Sequence, residues 1–138
     1  ILAAHNQKNH QQFKTLADLI ENKGWEYFRN LESKELMALV KEPRKLLIAL
    51  GGGTLNHALL QDLKKYNFYL VWLATPFELC LERIRGDHHR PLSKKTDEEL
   101  RLLYEERTKL YRQAHEIIQP QNFDWVSWWK IFSSRTNL

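Results

Sequence analysis

An α/β fold with a parallel sheet flanked by helices follows from three features of this 138-residue sequence. Leu46-Leu-Ile-Ala-Leu50 and Phe68-Tyr-Leu-Val-Trp-Leu-Ala74 are short, continuous apolar runs, the pattern of strands buried on both faces. Segments with helical periodicity and cap residues lie between and after them. The connections are short, and strands alternating with helices over short connections pair in parallel.

Each element has a local reason. Thr15 starts the first helix, as a hydroxyl cap with Asp18 three residues on, and Gly24 breaks it. A second helix runs from about Trp25 to Lys41 and stops before Pro43, because proline disfavours helical geometry in the residue ahead of it. The first strand, Leu46–Leu50, ends in Gly51-Gly52-Gly53, and Asn56 to about Lys65 is helical in pattern. After the second strand, Thr75-Pro76-Phe77-Glu78 combines a cap, a proline at the first helical position and an acid at the third, predicting a helix up to Gly86. A polar, basic stretch occupies 86–95, and Thr96-Asp-Glu-Glu99 restarts a helix lasting to about Ala114. Trp125, Trp128, Trp129 and Phe132 then fall at i, i+3, i+4 and i+7 of a terminal helix. With few flanking cations, its aromatic face is expected against the core rather than in a membrane interface.

Composition bounds the function. A chain that is 43% hydrophobic, with five Gly and four Pro, can build the core of one domain spanning residues 1–138. No apolar run approaches the ~20 residues that cross a bilayer, and Ile1-Leu2-Ala3-Ala4-His5 carries no charged signal-peptide head. Twenty-one basic residues against 17 acidic ones give a net charge of +4, which suits an anionic small molecule. Neither nucleic acid nor membrane is expected as a partner. Cys80 is the only cysteine and shares an apolar helical face with Phe77, Leu81 and Ile84, so a buried structural thiol is expected rather than a nucleophile. A lone thiol favours a reducing compartment, and a cytoplasmic monomer is the expectation.

The chemistry concentrates in glycines and arginines. Gly51-Gly52-Gly53-Thr54 follows an apolar run at the position where α/β sheets bind ligands, and absent side chains let backbone N–H groups approach an anion or polyol. It is not a phosphate loop of the Gly-x-x-x-x-Gly-Lys-Ser/Thr kind, which occurs nowhere in the sequence. Arg29 sits among Tyr27, Phe28 and Glu32, where the plain expectation is a solvated i, i+3 ion pair. Arg83 and Arg90 flank Gly86-Asp87-His88-His89, and a basic loop between helices suits a lid over phosphates. Arg107 lies within a helix. His88-His89 lacks a partner one turn away and is not expected to hold a metal.

In order, Phe-Arg-x-x-Glu, Gly-Gly-Gly, Thr-Pro-x-Glu-x-x-x-x-Arg, Arg90-Pro91-Leu92 and Arg-x-x-x-Tyr resemble the shikimate kinases over about Thr15 to Ala114. The resemblance implies a kinase of the nucleoside-monophosphate-kinase type that transfers the γ-phosphoryl of ATP to the 3-hydroxyl of shikimate with Mg²⁺. It implies that Arg29 and Arg107 hold the shikimate carboxylate, that Gly51, Gly52 and Gly53 wall the ring, that Arg90 in the 86–95 lid reaches the transferring phosphate, and that Arg83 lies on the adenine.

The sequence also departs from that family. Its first strand, phosphate loop and first helix do not precede Ile1, Trp25 stands where the family has Glu, Phe13 stands where it has Gly, and two family acids fall on Ala3 and His5. The chain as written is therefore expected to be a very poor kinase, binding shikimate with ATP in doubt and without metal or phosphate ligands of its own. The missing strand would lie between strands that this chain supplies, so the expectation is that the omitted segment exists upstream, or else that the sheet has closed up or been filled from elsewhere. The other reading is a catalytically dead relative that serves as a ligand sensor, a regulatory domain or an interaction domain. A third keeps the fold and changes the acceptor, as in gluconate or nucleotide kinases.

Overall fold

Helix α1 spans Leu16–Val40, and its start is built as its sequence dictates. Thr15 Oγ1 accepts from the Asp18 amide at 3.0 Å while Asp18 Oδ2 accepts from the Thr15 amide at 3.0 Å. This reciprocal cap satisfies two donors that a helix end otherwise leaves open. Gly24, at φ 83° and ψ 163°, is non-helical and separates two helical stretches at a kink, as the sequence predicts, and Lys41 caps the second ahead of Pro43. The computed structural model describes residues 5–6, 13–86 and 91–136.

These residues form two compact units, one drawn from Ile1–Arg44 and Ile48–Asn67, the other from Lys45–Leu47 and Phe68–Leu138. In the first, α1 is followed by a turn at 51–54 and by helix α2, His57–Lys65, whose start is capped by Asn56 Oδ1 accepting from the Leu59 amide at 2.9 Å. Its core is Leu19, Phe28, Leu36 and Val40 from α1, with Leu59, Leu60 and Leu63 from α2. The α1 positions 28, 36 and 40 repeat at helical spacing, so one stripe of the helix is apolar.

In the second unit, strands β1, Val71–Leu73, and β2, Glu116–Ile118, pair in parallel with Val71 opposite Glu116 and Leu73 opposite Ile118. Helix α3, Phe77–Arg85, and helix α4, Asp97–Tyr111, complete the crossover, with a 3-10 turn at Pro91–Lys94 between them. Parallel strands need such a crossover, which here carries both helices. Phe77, Leu100, Leu110 and Ile118 are its buried apolar residues. The Phe77 and Tyr104 rings meet edge-on at 5.4 Å, and the Arg101 guanidinium covers the Phe77 ring at 4.3 Å. Arg85 ties the ends of the 86–95 segment together, donating to the Ser93 and Lys95 carbonyls at 2.6 and 2.7 Å and to Asp97.

Helix α5, Trp125–Thr136, is fastened to β2 through Glu116. Glu116 Oε1 accepts from Trp128 Nε1 at 2.8 Å and Oε2 accepts from the Tyr69 hydroxyl at 3.3 Å. Burial, reinforced by the Glu116 charge, pushes the Tyr69 phenol above its ordinary range. Trp128 and Phe132 stack at 4.9 Å, whereas Trp125 and Trp129 are more than 40% exposed. The aromatic face is thus only partly covered within its unit. No helix among the described residues is long and apolar enough to cross a membrane.

Four sequence expectations need correction. Leu46–Leu50 is not a strand: no ladder bond joins it to another segment among the described residues, and Leu47 is 91% exposed. An apolar run becomes a strand only beside a partner that takes its N–H and C=O groups. The run at 68–74 contracts to the three residues of β1, with Tyr69 and Leu73 each 49% exposed. Thr75 does not cap α3, and Pro76 is the N-cap rather than the first helical residue. The Thr75 carbonyl instead accepts from the Tyr104 hydroxyl at 3.0 Å, and Pro76 stays extended at ψ 148°. Helix α4 stops at Tyr111 rather than near Ala114, because the chain must turn for the His115 amide to reach the Leu70 carbonyl at 2.9 Å.

Cys80 is half-buried rather than buried. Burial pushes its thiol up, and Sγ lies 3.7 Å from the Thr75 carbonyl. That environment suits a structural thiol.

Candidate acid-binding site

Arg29 lies on α1, five residues past the Gly24 kink, and is fixed from three directions. Its guanidinium carbon sits over the Trp25 ring at 5.0 Å and over the Phe28 ring at 5.2 Å. At its edge, Nη1 donates to Glu32 Oε2, one turn along the helix. Aromatic faces attract a cation and a carboxylate matches its fork, so the three contacts restrict the guanidinium's rotation.

Glu32 is not the solvated partner expected from an i, i+3 pair. The residue is buried, at 9% exposure, and its side chain at 11% is far less open than that of Arg29 at 34%. Its other oxygen, Oε1, accepts from the Thr54 hydroxyl at 3.0 Å, and Thr54 is itself buried. Thr54 closes the glycine turn, its amide donating to the Gly51 carbonyl at 3.0 Å. Gly51, Thr54, Glu32 and Arg29 therefore form one connected polar chain within the first unit. A buried carboxylate is tolerated here because both oxygens are hydrogen-bonded, one of them by a cation.

Glycine at position 51 has a steric reason. Its φ lies outside the left-handed region, but an added Cβ would stand 3.0 Å from Thr54 Oγ1 and 3.7 Å from Glu32 Oε1. Gly51 and Gly52 are exposed and Gly53 is half-buried, so the turn presents backbone to solvent above the Thr54–Glu32 bond.

His5 is also in this unit, 1% exposed, with its Nδ1 3.2 Å from the Tyr27 hydroxyl and its ring against Phe13. Asn6 holds the Phe13 backbone at both ends, donating to its carbonyl at 2.9 Å and accepting from its amide at 3.1 Å. The position that the resemblance aligns with a functional acid is thus a histidine enclosed by aromatic rings.

Of the residues singled out in the sequence, the structure brings Arg29 and the glycine turn into one unit. Arg83 is exposed on α3 and Arg107 half-buried on α4, both in the second unit. Arg107 has no ion pair among the described residues. Ala3, Arg90 and His88-His89 lie outside the described residues, as does the side chain of Pro91. Sequence reading passed over Thr54 as a site residue; its place directly after three glycines was the available signal. Among the described residues no group of three or more His, Cys, Asp or Glu could hold a metal ion.

Comparison with known proteins identifies the family. A family model described as shikimate kinase matches residues 6–124. The shikimate kinase of Persephonella marina is 36% identical over 104 residues, covering 75% of this chain and 63% of that protein. The Sulfurihydrogenibium enzyme is 37% identical over 100 residues, covering 72% and 60%. The chain thus spans about three-fifths of the length of these relatives. The crystal structure of shikimate kinase from Aquifex aeolicus superposes with a TM-score of 0.73 at 27% identity, over 99% of this chain and 79% of that one. A second, from Bacteroides thetaiotaomicron, gives 0.70 at 23% identity and attests the fold alone. The chain belongs to the shikimate kinase family.

Proposed function

We infer that this chain carries the acceptor-binding part of a shikimate kinase, and that the protein phosphorylates the 3-hydroxyl of shikimate from ATP. The observation that carries the reading is Arg29, oriented by Glu32 and two aromatic faces beside a turn of three glycines. A guanidinium held in this way is pre-organised for a carboxylate, so less orientation is lost on binding. The wall against the ring is assigned to Gly51, Gly52 and Gly53, and Arg107 is assigned as a second acid-binding cation. The lid, residues 86–95 with Arg90, and the adenine contact at Arg83 complete the assignment.

A second reading is favoured by His5. If its position is that of the family's acid, a histidine enclosed by Phe13 and Tyr27 is poorly placed to take a hydroxyl proton. The chain would then bind the acid as a sensor, regulatory or interaction domain without phosphorylating it.

A coupled assay of ADP release with shikimate, ATP and Mg²⁺, run beside calorimetry with shikimate and with ATP alone, separates the readings. Turnover establishes the kinase. Shikimate binding without ATP binding or turnover establishes the acid-binding relative, and binding of neither overturns both.

A further inference from the structure

We propose that Thr54 is a positioning residue for acid binding: its hydroxyl fixes Glu32, Glu32 fixes Arg29, and Gly51 is glycine to leave room for that hydroxyl. The proposal rests on the reading of Arg29 as the carboxylate-binding cation, and it gives the first glycine a role besides the ring wall assigned above.

The geometry restricts the alternatives. Glu32 has two oxygens, and each has a different donor: Thr54 on Oε1 at 3.0 Å and Arg29 on Oε2. A carboxylate hydrogen-bonded through one oxygen only can rotate about its terminal bond, whose torsional preference is broad and roughly two-fold. Bonding through both oxygens removes that freedom. Arg29 is part-exposed and Glu32 and Thr54 are buried, so the fixed end of the relay is inside and the reactive end faces outward. Thr54 lies 22 positions from Glu32 in sequence, so the bond also ties the glycine turn to α1. A methyl group at 51 would meet Thr54 Oγ1 at 3.0 Å, tighter than nine in ten Cβ contacts, so the hydroxyl would have to give by a few tenths of an ångström at its bond to Glu32. A change at either end of the turn therefore reaches Arg29 through the same carboxylate.

The test uses Thr54→Val, which removes the hydroxyl at nearly constant volume, Thr54→Ser, which keeps it, and Gly51→Ala. Calorimetry compares shikimate with its methyl ester, which lacks the charge that Arg29 grips. Thr54→Val should weaken shikimate binding about 10- to 100-fold, on the scale of losing one hydrogen bond to a charged group, and leave the ester within about twofold. Thr54→Ser should recover the acid affinity. Gly51→Ala, which also alters the assigned wall, should lower the acid affinity at least as far as Thr54→Val. Unchanged acid affinity in Thr54→Val, or an equal loss for acid and ester, overturns the proposal.

Nitrogen NMR of the Arg29 guanidinium, with no ligand added, decides the matter independently. Slow rotation in the protein that becomes fast in Thr54→Val supports the relay, and identical rotation overturns it. Should the protein fail to bind shikimate, the acid-binding reading falls, and this measurement still decides the relay.

Discussion

Two glutamates in this protein do similar bonding for different ends. Glu32 accepts from Arg29 and Thr54, and Glu116 accepts from Trp128 and Tyr69. Each carboxylate uses both oxygens and ties together segments distant in sequence. The difference lies in the donors. Glu116 holds two neutral groups with no charge to offer a ligand, so its work ends in fastening α5 and Tyr69 to β2. Glu32 holds a cation whose side chain is one-third exposed, so a ligand carboxylate can share that cation with it. On the proposed reading, structure and function are separated by what the carboxylate holds, not by the carboxylate itself.

Glu32→Ala should divide the two most sharply. It frees the edge of Arg29 and leaves the buried Thr54 hydroxyl without its acceptor, so shikimate affinity should fall about ten- to hundredfold by calorimetry. Stability should fall by about 1–3 kcal/mol in urea titration. Glu116→Ala should cost about 1–2 kcal/mol, since the Trp128 indole N–H and the Tyr69 hydroxyl lose their acceptor, with shikimate affinity kept within about twofold. Equal affinity losses in the two variants would erase the distinction.

Gly24→Ala probes whether the Arg29 end of α1 depends on its kink. An L-residue at φ 83° is strained, so a loss of about 1 kcal/mol is expected in the same titration. Retained stability with lowered affinity would instead place the kink in the site.

Legibility in the sequence followed the range of the interaction. The cap at Thr15 and the helix restart at Thr96 were readable, because each is settled within three residues. Leu46–Leu50 was misread as a strand, because pairing depends on a neighbour that local pattern cannot supply. The Thr75-Pro76 start was placed one residue early, since Tyr104, 29 positions away, holds the Thr75 carbonyl. The Arg29–Glu32 ion pair was legible from its i, i+3 spacing. The burial of Glu32 and the part played by Thr54 were not, as both depend on a contact 22 positions apart.

Smaller effects test the second unit alone. The Thr96 amide, then Lys95, hold the Glu99 carboxyl below the usual range, and Ser127 does the same for Asp124. A depressed folded-state pKa gives stability that is present above the unfolded value and lost as pH falls through the folded one. The first turns of α4 and α5 should therefore fray as pH drops below about 4, seen as faster amide exchange there. Cys80, its thiol pushed up by burial, should react with iodoacetamide at neutral pH more slowly than a free cysteine. A faster reaction would deny it a structural role.

The central claim is that Arg29 is the cation on which acid binding depends. Calorimetric titration of shikimate into the protein and into Arg29→Met tests it most directly, because methionine keeps a long side chain against Trp25 and Phe28 while removing the charge. A loss of about hundredfold in affinity, with the native circular dichroism retained, is the predicted result. Binding by Arg29→Met as tight as that of the unaltered protein would contradict it.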